Sequence, residues 1–365
     1  MVRVADAKFQ VAFYNPSVLN DIAWEGNKVR LPCLHCEHEE LRQIRRYRTN
    51  TQYGKRVFGS AWVHECDHCG LVQTIPRPPH QALANYYAVD YRYGGKYGSD
   101  VADGRQFPKD NLFYFNRGQS IAELVLPHLQ KDNPRILDVG AGYGHILYAL
   151  SQRYPRSERV AIEFANVCVQ HLEAVGIRVF NRPAEEVLGQ MEQQFDLVVL
   201  SHVLEHVLDP CTMLRLIHAS LVPGGMLYVE VPNIPRESLL RYPDQTWAPR
   251  WDEPHITFFS VPTLRDLLES VGFELCVCDT AGPTYKYISP LRYRLPPLRS
   301  FLQGLLPSPL FLFLRRQGFT KPLRVQEREE SFWQYGGFRI WIRSVAKKRE
   351  RHQVRPRDSG TQDAG

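Results

Sequence analysis

A glycine-rich turn follows an apolar strand in the stretch ILDVGAGYGHI, residues 136–146. Gly140, Gly142 and Gly144 form the pattern G-x-G-x-G, whereas the dinucleotide fingerprint is G-x-G-x-x-G. Glycine permits a tight strand-to-helix turn and lets a ligand approach the backbone closely. The turn indicates either a dinucleotide site or a site for a sulfonium cofactor, with Asp138 as the acid near the positive charge. A third interpretation is that the glycines only shape the turn.

An acidic residue ends the next predicted strand. Glu163 lies 25 residues after Asp138 and follows the apolar stretch RVAI. A carboxylate at this place can accept hydrogen bonds from both hydroxyls of a ribose. The glycine turn, the spaced acid and the strand context together predict a site for adenosine, whichever cofactor carries it.

Four cysteines form two Cys-x-x-Cys pairs. Cys33 and Cys36 make up the first pair, Cys66 and Cys69 the second, and 29 residues separate the two pairs. Two pairs of thiolates at this spacing complete a tetrahedral zinc site, and metal binding would supply much of the folding free energy of so short a segment. Two disulfides or iron–sulfur ligation are the alternatives. The neighbouring histidines are expected to be solvated: His35, His38, His64 and His68.

Strand-like and helix-like segments alternate between residues 135 and 281. The strands are short apolar runs without strict alternation, such as RILDVGAG and FDLVVLSHV, which is typical of strands buried on both faces. This pattern predicts an α/β fold with a doubly wound parallel sheet. The remaining cysteines fall inside these segments and are expected in the core: Cys168, Cys211, Cys276 and Cys278.

The chain is predicted to carry additions at both ends of this central domain. The predicted order is an N-terminal segment 1–78 with a ribbon at about 30–75, a helical, tyrosine-rich linker and lid 79–130, a core 131–281, a basic amphipathic insertion 282–336, a last strand 337–349 and a disordered tail 350–365. Four tyrosines are candidates for the lid: Tyr86, Tyr87, Tyr91 and Tyr114.

Positive charge is concentrated towards the C-terminal end. Residues 292–351 carry a formal charge of +10, while the whole chain carries +6. Two interpretations are open: an amphipathic element at 291–324 that contacts an anionic membrane surface, or a pair of helices that covers the pocket, which we favour. No nucleic-acid-binding motif accompanies the charge, so nucleic acid is not favoured as a partner. Without a long apolar run or a signal peptide we expect a cytoplasmic protein, peripheral to the inner face of the membrane under the first interpretation.

These motifs together resemble the class I S-adenosylmethionine-dependent methyltransferases. The stretches ILDVGAGYGH, AIEF, FDLVVLSHVLEHVLDP and LVPGGMLYVEVPN stand in that family's order over about residues 110–281. The resemblance implies a seven-stranded Rossmann-like sheet whose last strand, GFRIWIRSVA, is antiparallel. It also implies S-adenosyl-L-methionine as the cofactor, which carries an adenosyl group but no phosphate.

The resemblance assigns cofactor contacts by position in these motifs. The methionine part is expected on the glycine turn, the ribose on Glu163, and the adenine beside Phe164 and the stretch that begins at Ala184. Ser201 and His202 are expected to face the sulfonium. The full set of implied contacts is Asp138, Gly140, Gly142, Gly144, Glu163, Phe164, Ala184, Glu185, Ser201 and His202.

A zinc ribbon ahead of such a domain resembles a subgroup that methylates small molecules and sugars. The stretches CDHCGLVQTIPRP and LANYYAVDYR are similar to the linker of that subgroup. The resemblance implies a structural Zn²⁺ and a small-molecule acceptor, with a sugar or nucleotide-linked sugar as the best single choice. The ribbon is expected either to shape the substrate pocket or to bind a partner.

Methyl transfer to a hydroxyl needs a group that removes a proton, and histidine suits this task near neutral pH. His255 is the first choice for the catalytic base, because the resemblance places a histidine and an aromatic residue in this substrate-binding loop; local packing is the alternative. His202, at a strand end, is the second choice. In HVLEH, Glu205 precedes the second histidine, whereas H-E-x-x-H needs Glu directly after the first, so no metal is expected there. Glu205 and His206 are expected to stabilise the following loop.

The sequence therefore predicts a zinc-ribbon-bearing methyltransferase that acts on a small molecule. One alternative is methylation of tRNA or protein, with the ribbon and the basic insertion docking the macromolecule. The other is a non-catalytic binding module that keeps the methyltransferase fold. Carbon, oxygen and nitrogen acceptors all remain open, as does the oligomeric state.

Overall fold

The computed structural model describes residues 24–25, 28–47, 61–85, 87, 112–234, 255–284 and 339–349. The chain divides into two compact units, of which one comprises residues 1–279 and 341–365 and the other residues 280–340. The proposed membrane element at 291–324, the tail 350–365, and Tyr86 and Tyr91 of the predicted lid lie outside the described residues.

A six-stranded sheet contains both cysteine pairs. Its strands, in their order across the sheet, are β1 (Trp24–Glu25), β2 (Lys28–Arg30), β3 (Glu40–Arg46), β4 (Trp62–Cys66), β5 (Val72–Ile75) and β11 (Thr257–Phe258). The first five are antiparallel neighbours along the chain. The sixth comes from the far end of the central domain, and the sequence analysis did not predict it.

A seven-stranded sheet forms the centre of the molecule. Its strands, in sheet order, are β12 (Phe273–Thr284), β13 (Arg339–Lys348), β10 (Leu221–Pro232), β9 (Phe195–Ser201), β6 (Arg135–Val139), β7 (Glu158–Ile162) and β8 (Arg178–Phe180). Strands β10, β9, β6, β7 and β8 are parallel, and β13 runs antiparallel to β10. The predicted doubly wound sheet with an antiparallel last strand is confirmed.

Helices cover both faces of this sheet. They are α2 (Leu112–Val125), α3 (His145–Arg153), α4 (Asn166–Ala174), α5 (Ala184–Leu188), α6 (Pro210–Ser220) and α7 (Val261–Val271), with a 3₁₀ turn at Leu204–His206. The first helix, α1 (His80–Asn85), instead buries Leu83 against residues of the six-stranded sheet. Alternate residues of the strands face opposite layers: Leu137, Val198 and Leu200 pack with α6 and α7. Ile136 and Val199 pack with α2 and α3. Burial on both faces explains why these strands read as continuous apolar runs.

Two expectations about single residues are wrong. Cys276 is exposed rather than in the core, because it lies on β12, the edge strand of the large sheet. His64 is fully buried rather than solvated, and this burial lowers its pKa to about 4. The other three cysteines outside the ribbon are shielded, and the Cys211 thiol donates a hydrogen bond to the carbonyl of Leu34. Among the described helices, none has the length and apolar character needed to cross a membrane.

Candidate active site

The glycine turn lies between β6 and α3 at the carboxyl edge of the sheet. Gly140, Gly142 and Gly144 all have left-handed backbone conformations, with φ of 72°, 55° and 76°. A Cβ added at Gly140 would lie 2.5 Å from Cγ2 of Val203, and one at Gly144 would lie 2.7 Å from Cδ2 of Leu172. Residues with side chains are strained in this region and would clash here. Gly140 and Gly144 are therefore required for two reasons, the left-handed backbone and the lack of space for a Cβ atom. A backbone without side chains is also open to close approach by a ligand.

Glu163 binds the glycine turn to the end of β7. One carboxylate oxygen accepts the N–H of Gly142 at 2.7 Å, and the other accepts those of Phe164 and Ala165 at 2.9 and 2.8 Å. A carboxylate has about four acceptor positions, so capacity remains for a ribose hydroxyl. Phe164 follows Glu163 directly, and Ala184 and Glu185 begin the helix after the next strand. Their contact with adenine stays a prediction.

Asp138 is a buried acid beside this turn. Its side chain is 1% exposed, and its Oδ2 has no hydrogen-bond partner among the residues that the structure describes. Burial and the charge of Glu163 raise the pKa of Asp138 to about 8, although the Arg117 guanidinium opposes the rise. A positively charged ligand would satisfy the orphaned oxygen and favour the ionised carboxylate. Open glycines, an acid for ribose and an acid for a cation fit an adenosyl sulfonium cofactor.

His202 closes β9 in an unusual backbone conformation. Its φ is 54°, in the left-handed region, and its N–H donates to the carbonyl of Glu230 at 2.8 Å. Its ring nitrogens face two carboxylates, since Nδ1 lies 3.1 Å from Glu205 Oε1 and Nε2 lies 3.1 Å from Glu230 Oε1. Burial would lower the pKa of His202, but the hydrogen bonds to Glu205 and Glu230 raise it above its ordinary value. This geometry favours a charged imidazolium that positions its neighbours.

Glu230 is the centre of a buried charge cluster that sequence reasoning missed. Arg117 donates from Nε to Glu230 at 2.9 Å, and Arg343 donates from Nε at 2.5 Å. Burial would raise the pKa of Glu230, but the two guanidinium groups hold it well below its usual value. Arg117 also donates to the hydroxyl of Ser201 at 2.5 Å and lies over the ring of Trp341. In the sequence, the signal for this cluster is one charged residue inside each of two apolar strands, Glu230 in LYVEVP and Arg343 in IRSVA.

Glu205 lies near both candidate bases, His202 and His255. Its carboxylate is 1% exposed and lies 3.8 Å from Nε2 of His206, in addition to its contact with His202. The ring centroids of His206 and His255 are 4.7 Å apart. One ligand atom from each of Glu205, His206 and His255 lies within 4.8 Å of the others. The result is a continuous group of buried titratable side chains at the carboxyl edge of β9.

Two lid tyrosines can be placed. The Tyr87 ring lies 5.7 Å from that of His206, and the Tyr114 ring lies 4.6 Å from that of His145, at the start of α3. Both therefore border helix and turn residues at the carboxyl edge. Their function as a lid stays a prediction.

The four ribbon cysteines lie together, each offering a sulfur within 4.8 Å of the others. Sγ of Cys33 is 3.6 Å from that of Cys69, and Sγ of Cys36 is 3.5 Å from that of Cys66. A tetrahedral zinc–thiolate site has sulfur–sulfur edges of about 3.8 Å. The hydrogen bond from the Cys69 thiol lowers the pKa of Cys33 to about 5, so the cluster already favours one thiolate.

The two Cys-x-x-Cys pairs adopt the same backbone turn. The residue after each second cysteine is left-handed, with φ of 61° at Glu37 and 73° at Gly70. Its N–H donates to the carbonyl of the first cysteine, from Glu37 to Cys33 at 3.1 Å and from Gly70 to Cys66 at 3.0 Å. The two turns present their thiols to one point, which suits a four-coordinate ion.

Replacement of Asp138 by asparagine is expected to flatten the pH dependence of stability. Native Asp138 has a raised pKa of about 8, so the native state keeps a proton that the unfolded chain releases from about pH 4 upward. The wild type should therefore lose up to about 1.4 kcal/mol of unfolding free energy per pH unit more than Asp138→Asn between pH 5 and 8. Urea unfolding at several pH values between 5 and 8 measures how the unfolding free energy of each protein changes with pH. Asp132→Asn, at an exposed site, is the control, and identical slopes for wild type and Asp138→Asn would contradict the assignment.

Comparison with known proteins agrees with this geometry. Residues 112–277 match the family model described as a methyltransferase domain. The chain is 32% identical over 103 residues to the ubiquinone biosynthesis O-methyltransferase of Pseudomonas aeruginosa strain UCBPP-PA14, over 27% of this chain and 44% of that relative. It is 31% identical over 157 residues to the protein of the same name from Ruegeria pomeroyi, over 38% of this chain and 60% of that relative. The chain thus spans about half the length of these relatives.

Solved structures of methyltransferases are similar at low identity. One is the 1,6-didemethyltoxoflavin-N1-methyltransferase of Burkholderia thailandensis with bound 1,6-didemethyltoxoflavin and S-adenosylhomocysteine, 16% identical, covering 80% of this chain and 96% of that chain with a TM-score of 0.44. Another is an S-adenosylmethionine-dependent methyltransferase from Archaeoglobus fulgidus, 16% identical, covering 64% and 94% with a TM-score of 0.41. Residues 112–277 thus match a methyltransferase domain, and the sheet that they form is the Rossmann-like sheet that the resemblance implied.

Proposed function

We propose that the chain transfers a methyl group from S-adenosylmethionine to a hydroxyl of a small organic acceptor. The observation that carries this proposal is the open, left-handed glycine turn beside the orphaned, buried Asp138. The cofactor, when bound, supplies a methyl group activated by its sulfonium charge. The relatives from Pseudomonas aeruginosa and Ruegeria pomeroyi are named O-methyltransferases, which supports oxygen as the acceptor atom.

The two acids of the turn would divide the work of holding the cofactor. Asp138 would face its positive charge, and Glu163 would accept a ribose hydroxyl while keeping the backbone of Gly142 in place. Ser201 and His202, at the end of the adjacent strand β9, would border the methyl end. Methyl transfer gains most from alignment of the reacting atoms, and these fixed backbone positions would provide it.

His255 is the proposed base that removes the hydroxyl proton. His202 is poorly suited, because both of its nitrogens already face carboxylates. His255 instead joins the group through His206 and is buried near the carboxylate of Glu205. His202 then acts as a positioning residue.

The acceptor class follows from two lines of support. The names of the relatives favour a hydroxyl compound of the kind handled in ubiquinone biosynthesis, while the resemblance of the ribbon to a sugar-methylating subgroup favours a sugar or nucleotide-linked sugar. Both are small molecules with a hydroxyl. Transfer to tRNA or protein is an outcome that the assay distinguishes.

Methyl transfer from radiolabelled S-adenosylmethionine tests the proposal. The acceptors offered are a catechol such as 3,4-dihydroxybenzoate, a nucleotide-linked hexose and total tRNA. We expect label in a small hydroxyl compound, with kcat lower by about 10²- to 10⁴-fold in His255→Gln. S-adenosylhomocysteine affinity should not change, because His255 does not belong to the cofactor turn.

The control variant is His128→Gln, at the loop that follows α2, which should keep full activity. Unchanged turnover in His255→Gln would remove His255 as the base. Label in tRNA alone, or no transfer by a folded protein that binds S-adenosylhomocysteine, would overturn the small-molecule assignment.

The four cysteines of the ribbon are proposed to hold one structural Zn²⁺ per chain. Their sulfur spacing and paired turns support a tetrahedral ion. Elemental analysis should find one zinc per wild-type chain and none in a Cys36→Ser, Cys69→Ser variant, with a lower unfolding temperature. Cys276→Ser, an exposed cysteine outside the ribbon, is the control. Iron with visible absorption, or loss of free thiols without metal, would contradict zinc.

A further inference from the structure

The structure suggests what the ribbon does for the reaction. We propose that the cysteine ribbon, residues 28–47 and 61–75, is the positioning element for the acceptor side of the methyl-transfer site, and that it acts by holding His255 through Thr74. This inference rests on the proposed function. It assigns a role to a segment whose sequence left two uses open, shaping the pocket or binding a partner.

Strand β5 of the ribbon fixes the segment that carries His255. Thr257 pairs with Gln73 and Phe258 with Val72 in an antiparallel ladder. The Thr74 N–H donates to the carbonyl of Ile256 at 2.8 Å, and the Thr74 hydroxyl donates to the carbonyl of His255 at 3.2 Å. Both Thr74 and His255 are buried. Hydrogen bonds from the ribbon therefore hold the backbone carbonyls of His255 and Ile256.

The same segment contacts the active-site turn on its other side. The Ile256 N–H donates to the carbonyl of Glu205 at 2.8 Å. Glu205 in turn holds His202 at the end of β9 through its carboxylate. Residues 255 and 256 thus lie between β5 and the 3₁₀ turn, with one backbone hydrogen bond to each. A shift of β5 would move His255 and loosen Glu205 together.

Apolar packing strengthens this connection. Ile256 and Phe258 share one buried cluster with Val63 and Val72 of the ribbon. Near the first cysteine pair, the Cys211 thiol donates to the carbonyl of Leu34 at 3.0 Å, which ties the start of α6 to the ribbon. The ribbon is therefore bound to the methyltransferase domain at two separate places.

Strand β11 depends on the ribbon for its position. It has two residues, and a strand this short gains stability only from a sheet that is already formed. The ribbon sheet buries apolar side chains such as Leu41, Leu71 and Val63 against the rest of the molecule, and its paired turns depend on the four cysteines. Disruption of the cysteine cluster should therefore loosen the segment that carries His255, whereas the glycine turn is held by hydrogen bonds to Ile162 and Glu163 at the end of β7.

Matched substitutions at Thr74 test the proposal without disturbing the cysteines. Thr74→Val keeps the shape of the side chain but removes the hydroxyl that holds His255, and Thr74→Ser restores that hydroxyl. We measure kcat with whichever acceptor the wild type methylates in the radiolabel assay. We expect kcat to fall roughly tenfold to a hundredfold in Thr74→Val and to recover in Thr74→Ser. S-adenosylhomocysteine affinity, measured by calorimetry, should equal that of the wild type in both.

Hydrogen exchange provides a readout that needs no acceptor. In the Cys36→Ser, Cys69→Ser variant the amides of residues 255–259 should exchange at least about tenfold faster, while those of β6 and β9 stay protected. Cys276→Ser should match the wild type. Loss of S-adenosylhomocysteine binding in step with activity would reduce the ribbon to a general stabiliser and overturn the proposal.

Two further outcomes separate this inference from the proposed function. Unchanged turnover in Thr74→Val, or unchanged protection of residues 255–259 when the ribbon is disrupted, overturns the positioning role alone. If the wild type methylates none of the acceptors, the proposed function fails, and the exchange measurement still decides whether the ribbon holds His255.

Discussion

The ion pairs of the buried Glu230 carboxylate are the interactions on which the carboxyl edge of the seven-stranded sheet depends. The carboxylate binds Arg117 of α2, His202 at the end of β9 and Arg343 of β13, so this one acid on β10 joins a helix and two neighbouring strands. Loss of Glu230 would remove the carboxylate that the two guanidinium groups share, which is strongly destabilising. The cluster therefore helps to determine how α2 packs on the sheet and how β13 lies beside β10. It also holds His202 in its left-handed conformation through both backbone and side chain.

The proposed site consists of two halves with different origins, one for the cofactor and one for the acceptor. The cofactor half is local: the turn after β6 and the end of β7 supply the glycines, Asp138 and Glu163, and the hydrogen bond from Gly142 to Glu163 joins them. The acceptor half is assembled over long distances, because Glu205, His255 and Thr74 come from three separate parts of the chain. The two halves therefore take their hydrogen bonds from different parts of the chain.

Sequence alone predicted what local chemistry determines. The apolar runs predicted the parallel sheet, which the structure confirms, and the spacing of Asp138 and Glu163 predicted that both acids lie near one glycine turn. The meeting of the four cysteines followed from their paired spacing. Each of these depends on residues close in sequence or on a sheet whose order is regular.

Long-range contacts were not predictable in the same way. No local pattern indicates that Arg117 reaches Glu230, or that the two-residue strand β11 joins a sheet begun at Trp24. The wrong expectations have the same cause: Cys276 lies on an edge strand, and His64 lies in β4, an inner strand of the six-stranded sheet between β3 and β5. Burial of these residues depends on which elements become neighbours.

The most direct test of the central claim is a calorimetric titration with S-adenosylhomocysteine, alongside NADH and a Gly140→Val variant. The account predicts one S-adenosylhomocysteine site per chain, no binding of NADH, and loss of the site in the variant, whose side chain would meet Val203. A folded wild-type protein that fails to bind S-adenosylhomocysteine, or that binds NADH instead, would contradict the account.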